Sequence, residues 1–194
     1  MHDVNVNFNG AMVLWSITGT ADGETVNNRL KALGLPPAAT IDEQEALRLS
    51  MQEDARGRRL MVRPLAQGVG YALVQESDDG TEMQYDEVYR AIVVDGALVG
   101  QPGEKVVSPK LGPAGGSLTL PDVYRTLNQR HGEWYGQVNA DKLGACLTNA
   151  VRFLGGVAVR HRGGVYWLAD EALGALPQVA QVVVRLMAGA LIKK

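Results

Sequence analysis

The sequence predicts an α+β fold. Three observations carry that expectation: helix-forming runs before residue 56, a switch to strand-forming residues between 60 and 94, and a further helical run closed by Gly155-Gly156 and followed by paired strands. Assembled in order, they give N-terminal helices with an antiparallel sheet over 1–100, a Pro/Gly-rich connection over 101–118, and a winged-helix-like C-terminal unit with a terminal helix over 119–194.

Met12 to Ile17 is a short apolar run that reads as a strand. Glu24 to Leu33 follows as a helix closed by Gly34, whose missing side chain suits a left-handed cap, and Pro36-Pro37 prevents continuation. Thr40 with Glu43 three residues later is a capping-box pattern for a helix over Ile41 to Ala55, with Ala46, Leu47 and Met51 for its buried face and Gly57 to end it.

The runs at Leu60 and Val62, Val69 to Val74, Met83 to Tyr89 and Ile92 to Val94 are rich in strand formers, and Asp79-Gly80 and Asp95-Gly96 are tight-turn dipeptides. An antiparallel meander is expected, packed on the two preceding helices. Pro64 has no N–H to give a ladder and belongs at a strand end or an edge.

Gln101 to Ser117 is dense in proline and glycine and reads as a connection. Thr119 then caps a helix that carries Pro121 and Asp122 in its first turn and ends near Arg130, leaving a loop over Gly132 to Val138. Along Ala140 to Leu154, the residues Leu143, Leu147, Val151 and Leu154 make one apolar stripe. Gly156 to Arg160 and Val165 to Leu168 read as strands around a turn at 161–164. Helix, helix, hairpin is the order of a winged helix. Asp170 caps a last helix running through Pro177 to Leu191, with Leu176, Val179, Ala180, Val183, Leu186, Met187 and Ala190 on one side.

A chain of 194 residues, 46% hydrophobic, is long enough for a buried core, and a formal charge of −2 gives no global attraction to nucleic acid or anionic lipid. The single cysteine, Cys146, excludes an internal disulfide and reads as a buried, inert thiol. The first ten residues lack the basic start and apolar core of a signal peptide, and Val179 to Ile192 is short for a bilayer and interrupted by Gln181 and Arg185. A cytoplasmic protein with no membrane association is expected.

The strongest functional hint is local charge. Between Leu120 and Leu168, six basic residues stand against three acids, and Arg152, Arg160, His161 and Arg162 cluster at the end of the helix and on the hairpin turn. A winged helix places such residues against phosphates, with Lys142 and Asn149 on the helix able to approach a groove. The same residues are ordinary on a solvated helix face, and basic hairpin turns also occur for solubility alone.

Arg56, Arg58, Arg59 and Arg63 form a second basic cluster, explained better by the dipole of the helix end they span than by phosphate binding. Trp134 and Tyr135 are candidates for stacking on bases or anchoring a partner, or for folding back on the core. Val183 and Met187 would face a protein partner or a second copy if the last helix associates between chains.

No catalytic constellation emerges. His2, His131 and His161 are scattered, Glu43, Glu45, Glu53 and Asp54 read as a solvated helix face, and the glycine-rich 112–117 stretch lacks the lysine of a phosphate loop. Neither a metal nor another cofactor is expected, and the protein reads as non-enzymatic: a nucleic-acid-binding accessory factor or, alternatively, a protein–protein adaptor or assembly subunit.

Leu14-Trp15-Ser16-Ile17, Ala46-Leu47-Arg48 and Arg162-Gly163-Gly164-Val165-Tyr166-Trp167 together resemble an uncharacterised family of phage and prokaryotic proteins. The resemblance covers most of the chain and implies a phage or conflict-related setting. It implies no activity and no site residues.

Overall fold

The computed structural model describes residues 9–56, 60–66, 68–78, 83–102, 120–160 and 164–174. The chain forms two compact units, one made from residues 1–40 together with 136–194, the other from 41–135.

In the two-segment unit, β1 (Gly10–Leu14) does not pair with its sequence neighbours. Its partner is β9 (Val165–Ala169), antiparallel, in the register Met12 to Trp167 and Leu14 to Val165. With β8 (Val157–Ala158) on the other side of β9, the sheet has the order β1-β9-β8. A second, two-stranded ribbon joins β2 (Thr20–Asp22) to β7 (Gln137–Asn139). Both pairings tie the start of the chain to its last third.

Each ribbon strand leads directly into a helix. Asp22 caps α1 (Gly23–Ala32) by accepting from the Thr25 N–H at 2.8 Å, and Asn139 caps α4 (Ala140–Phe153) by accepting from the Lys142 N–H at 3.0 Å. Val26 and Leu30 of α1 and Leu143, Cys146, Leu147 and Ala150 of α4 are buried in one cluster with Val138. Asn27 pins the intervening 35–38 segment, accepting from the Ala38 N–H at 2.8 Å and donating to the Ala38 carbonyl at 3.2 Å.

The two helices end alike. After α1, Gly34 at φ +69° lets Leu35 donate to the Leu30 carbonyl; after α4, Gly155 at φ +83° lets Gly156 donate to the Val151 carbonyl at 2.8 Å. These left-handed caps satisfy carbonyls that a helix end leaves open. The second turns the chain straight into β8, so only Leu154 to Gly156 separate α4 from the hairpin.

In the other unit, β3 (Leu60–Pro64), β4 (Gly70–Asp78), β5 (Met83–Val94) and β6 (Ala97–Pro102) form a four-stranded antiparallel meander in chain order. Pro64 closes the edge strand, as its missing N–H requires, and Asp95-Gly96 turns with both φ values positive, at +49° and +77°. β5 is one long strand with a register shift opposite Leu73/Val74, not two short ones. The Asp79-Gly80 turn lies outside the described residues.

One face of the meander is covered by α2 (Glu43–Ala55) and α3 (Leu120–Trp134). Leu47 and Met51 of α2 and Val123 and Leu127 of α3 are buried with Leu73, Val88, Tyr89 and Ala91. Tyr124 lies flat over Gly100, where an added Cβ would meet its ring at 2.0 Å. Four expectations change here. The cap of α2 is Asp42, whose carboxylate accepts from the Glu45 N–H at 2.8 Å, not Thr40. The meander is covered by α2 and α3, not by α1 and α2. The chain does not divide at 101–118, because the apolar side of α3 completes the meander's core. And the helix–helix–hairpin order of 119–194 is not one unit, since α3 and α4 belong to different ones.

A polar node joins α2, β5 and α3. The fully buried Tyr89 hydroxyl donates to Asp54 at 2.9 Å, Arg130 bridges Asp54 and Glu53, and the Trp134 indole N–H donates to Glu53 at 2.9 Å. Burial, then the Asp54 charge, pushes the Tyr89 phenol well above its ordinary value; burial pushes Tyr124 up to about 12. A phenol whose folded value is raised stabilises the fold below its ordinary value of 10.0 and loses that contribution as pH rises through the raised one.

Two outcomes test this packing. Gly155→Ala, which places a Cβ in the left-handed region, is expected to cost about 1 kcal/mol in urea unfolding. Tyr89→Phe removes a hydrogen bond to a carboxylate and is expected to cost about 2 kcal/mol in urea unfolding, with loss of one late-ionising phenol in an alkaline absorbance titration.

Candidate nucleic-acid interface

The buried residues of α4 are Leu143, Cys146, Leu147, Ala150 and Val151, which leaves the opposite side to solvent. At 3.6 residues per turn, Lys142, Ala145, Asn149 and Arg152 share that open side. Ala145, Asn149 and Arg152 are exposed, and Lys142 is half-buried beside the exposed Asp141. The strip is small, with Lys142 in the first turn and Arg152 in the last, where the helix dipole favours positive charge.

The hairpin continues from the same end. Val159 donates its N–H to the Val165 carbonyl at 3.0 Å, extending the β8–β9 ladder by one step, and Arg160 follows, exposed. His161 and Arg162 lie outside the described residues. Inward, Tyr166 and Leu168 of β9 pack with Val151 of α4 and its C-cap Leu154, while Trp15 stacks on Tyr166 with ring centroids 5.4 Å apart and planes parallel within 1°. Trp15 also fills the space above Gly164, where an added Cβ would stand 3.3 Å from its ring. The hairpin is thereby fixed to the helix by aromatic packing.

The remaining candidates fall elsewhere. Trp134 is on the last turn of α3, half-buried and hydrogen-bonded to Glu53, so its polar edge is already engaged. Tyr135 is 53% exposed and stacks on His131, which is itself buried with a ring nitrogen 3.0 Å from the Glu43 carbonyl. In the second basic cluster, Arg56 is the exposed C-cap of α2 and Arg63 lies over the Tyr85 ring at 5.1 Å; Arg58 and Arg59 lie outside the described residues. These two arginines belong to the meander unit, Arg152 and Arg160 to the other. Val183 and Met187 lie outside the described residues.

Two features escaped the sequence reading. Glu53 and Asp54, which look like part of a solvated face, are held by Arg130, Tyr89 and Trp134, because α3 returns from 76 residues away to meet them. The other is an exposed apolar group, Met12, Leu14, Phe153, Val157 and Val159. Its signal was the apolar character of both strands flanking β9, which becomes a surface only once the distant β1 is paired.

Among the described residues, no group of three or more His, Cys, Asp or Glu is placed to hold a metal ion, and no helix is long and apolar enough to cross a membrane.

The family match extends over both units. The chain belongs to a family of unknown function, DUF6744, whose profile covers residues 10–192. No curated protein and no solved structure matches it. The resemblance to an uncharacterised family thus stands, and the match carries neither an activity nor a phage origin.

Burial pushes the Cys146 thiol above its ordinary value, and the side chain packs between the helices with Sγ 4.0 Å from the Pro36 carbonyl. A thiol so placed reacts slowly. Titration with a disulfide reagent is expected to give no rapid colour from the native protein and one equivalent after unfolding; prompt native reaction would show that the α1–α4 packing is open.

Proposed function

We propose that the protein is a non-enzymatic nucleic-acid-binding accessory factor whose two-segment unit presents α4 to a duplex groove and the β8–β9 hairpin to the adjacent backbone. The observation that carries the reading is continuity: a strip of exposed Asn149 and Arg152 beside half-buried Lys142 on α4 runs into a hairpin bearing exposed Arg160, with three residues between helix and strand. Asn offers the paired donor and acceptor that match an adenine edge, and arginine and lysine serve phosphates.

The sheet order adds support. A strand from ahead of the helices that flanks the hairpin following them, here β1-β9-β8, is how a winged helix is built, and α1 and α4 pack as its helix pair. On this reading the winged-helix-like part is the two-segment unit, with 41–135 inserted between its helices, in place of the C-terminal unit first expected. That is a likeness of fold, and function rests on the strip itself.

Cation displacement makes phosphate binding salt-dependent. In fluorescence anisotropy with labelled duplex DNA, affinity is expected to fall steeply from low to near-physiological salt. The double variant Arg152→Ala/Arg160→Ala should weaken binding and flatten the slope of log affinity against log salt by about 2, roughly one per lost phosphate contact. No binding at low salt, or an unchanged slope, would sink the proposal.

A second reading, a protein–protein adaptor or assembly subunit, is favoured by the exposed apolar group around β1 and β8. In that reading another chain covers it, joined by the stripe that includes Val183 and Met187.

A further inference from the structure

One row of side chains on α4 combines an amide with apolar groups on either side. Ala145, Asn149 and Phe153 stand four residues apart, so they follow one another along a single ridge of the helix, with about 6 Å between successive members. All three are exposed, Phe153 at 69%, although it closes the helix between buried Val151 and the half-buried cap Leu154. Among the described residues, the Asn149 amide has no hydrogen-bond partner and the Phe153 ring no aromatic or cationic one.

Charge is graded along the same ridge. Exposed Asp141 heads it in the first turn, Arg152 stands beside Phe153 in the last, and Arg160 follows on the hairpin. Phosphates repel the first end and attract the other, so the helix meets a duplex with its C-terminal turn at the backbone and the ridge across the base edges.

We propose that this ridge reads the major groove of a double-stranded DNA site with an A·T core, Asn149 pairing with an adenine edge and Ala145 and Phe153 packing on thymine methyls. The inference rests on the nucleic-acid reading and names the nucleic acid that the strip takes. An A·T pair presents the N7 acceptor and N6 donor of adenine and the C5-methyl of thymine. An amide matches the first two and an apolar side chain the third; neither arginine nor lysine stands on the ridge to take the O6 and N7 acceptors of guanine.

The spacing agrees. From Ala145 to Phe153 the ridge is about 12 Å long, or roughly three to four base pairs at about 3.4 Å each. The same chemistry disfavours RNA, because uracil lacks the methyl and the A-form major groove is too narrow for a helix about 10 Å across. It also disfavours a protein partner, since protein interfaces are anchored by clusters of large side chains and the ridge offers one.

The test uses the full chain and begins with selection from short DNA duplexes with a randomised centre, expected to enrich an adenine with thymine within two base pairs. In anisotropy on the enriched duplex, 7-deazaadenine, which lacks N7, is expected to weaken binding at least about fivefold, and uracil in place of thymine about fourfold for each methyl lost. The first loss should vanish in Asn149→Ala and the second shrink in Phe153→Ala, with the salt slope unchanged in both because neither removes a charge. A G·C core, no enriched sequence, modified bases bound as well as natural ones, or equal affinity for duplex RNA would overturn this inference while salt-dependent binding still stood. No binding to any duplex at low salt would remove both, and self-association lost in Phe153→Ala would then assign the ring to a protein contact.

Discussion

Pairing between β1 and β9 is the constraint on which the candidate interface depends. Residues 10–14 and 165–169 lie at opposite ends of the sequence, yet their register sets both faces of the sheet that carries the hairpin. Without β1, Trp15 would not reach Tyr166, and the hairpin would be a two-stranded ribbon, which is marginal in water. The β2–β7 ribbon repeats the device at the helix starts, placing the Asp22 and Asn139 caps on neighbouring strands in antiparallel register. Closing such distant contacts is entropically costly, and the buried α1–α4 cluster supplies the offset.

The meander unit is stabilised differently. Its contacts run mainly between consecutive strands, and its helices are joined to the sheet by an apolar layer with a charged rim. Within that rim Asp54 takes a donor from β5 and another from α3, so one carboxylate ties together three elements. The partial exposure of Arg130 and Glu53 limits what their ion pair contributes, and the Tyr89 hydroxyl, fully buried and dependent on Asp54, is the more sensitive member.

Legibility in the sequence followed the range of the interaction. Gly34 and Asp95-Gly96 were readable because a positive φ is a local demand that glycine and aspartate meet. The α4 stripe and the hairpin after it were readable from periodicity, and Pro64 from its missing donor. What stayed hidden required a distant partner: β1 is a plain apolar run until Trp167 stands opposite Met12, and Trp134 looks like a loop aromatic until Glu53 receives its N–H. The misplaced division has the same origin. Proline and glycine density marked 101–118 as a connection, but composition carries no record that Val123 and Leu127 complete the core begun by Leu47. Of the candidate site, Asn149, Arg152 and Arg160 were found from charge and helical spacing; the sheet behind them was not.

Native-state hydrogen exchange with residue resolution tests the central claim most directly. If the distant pairing holds the helix and hairpin, the β1 amides bonded to β9 will share a common opening free energy with those of β9 and the interior of α4, and all will shift together in denaturant. Free exchange in β1 while α4 and β9 stay protected would contradict the account.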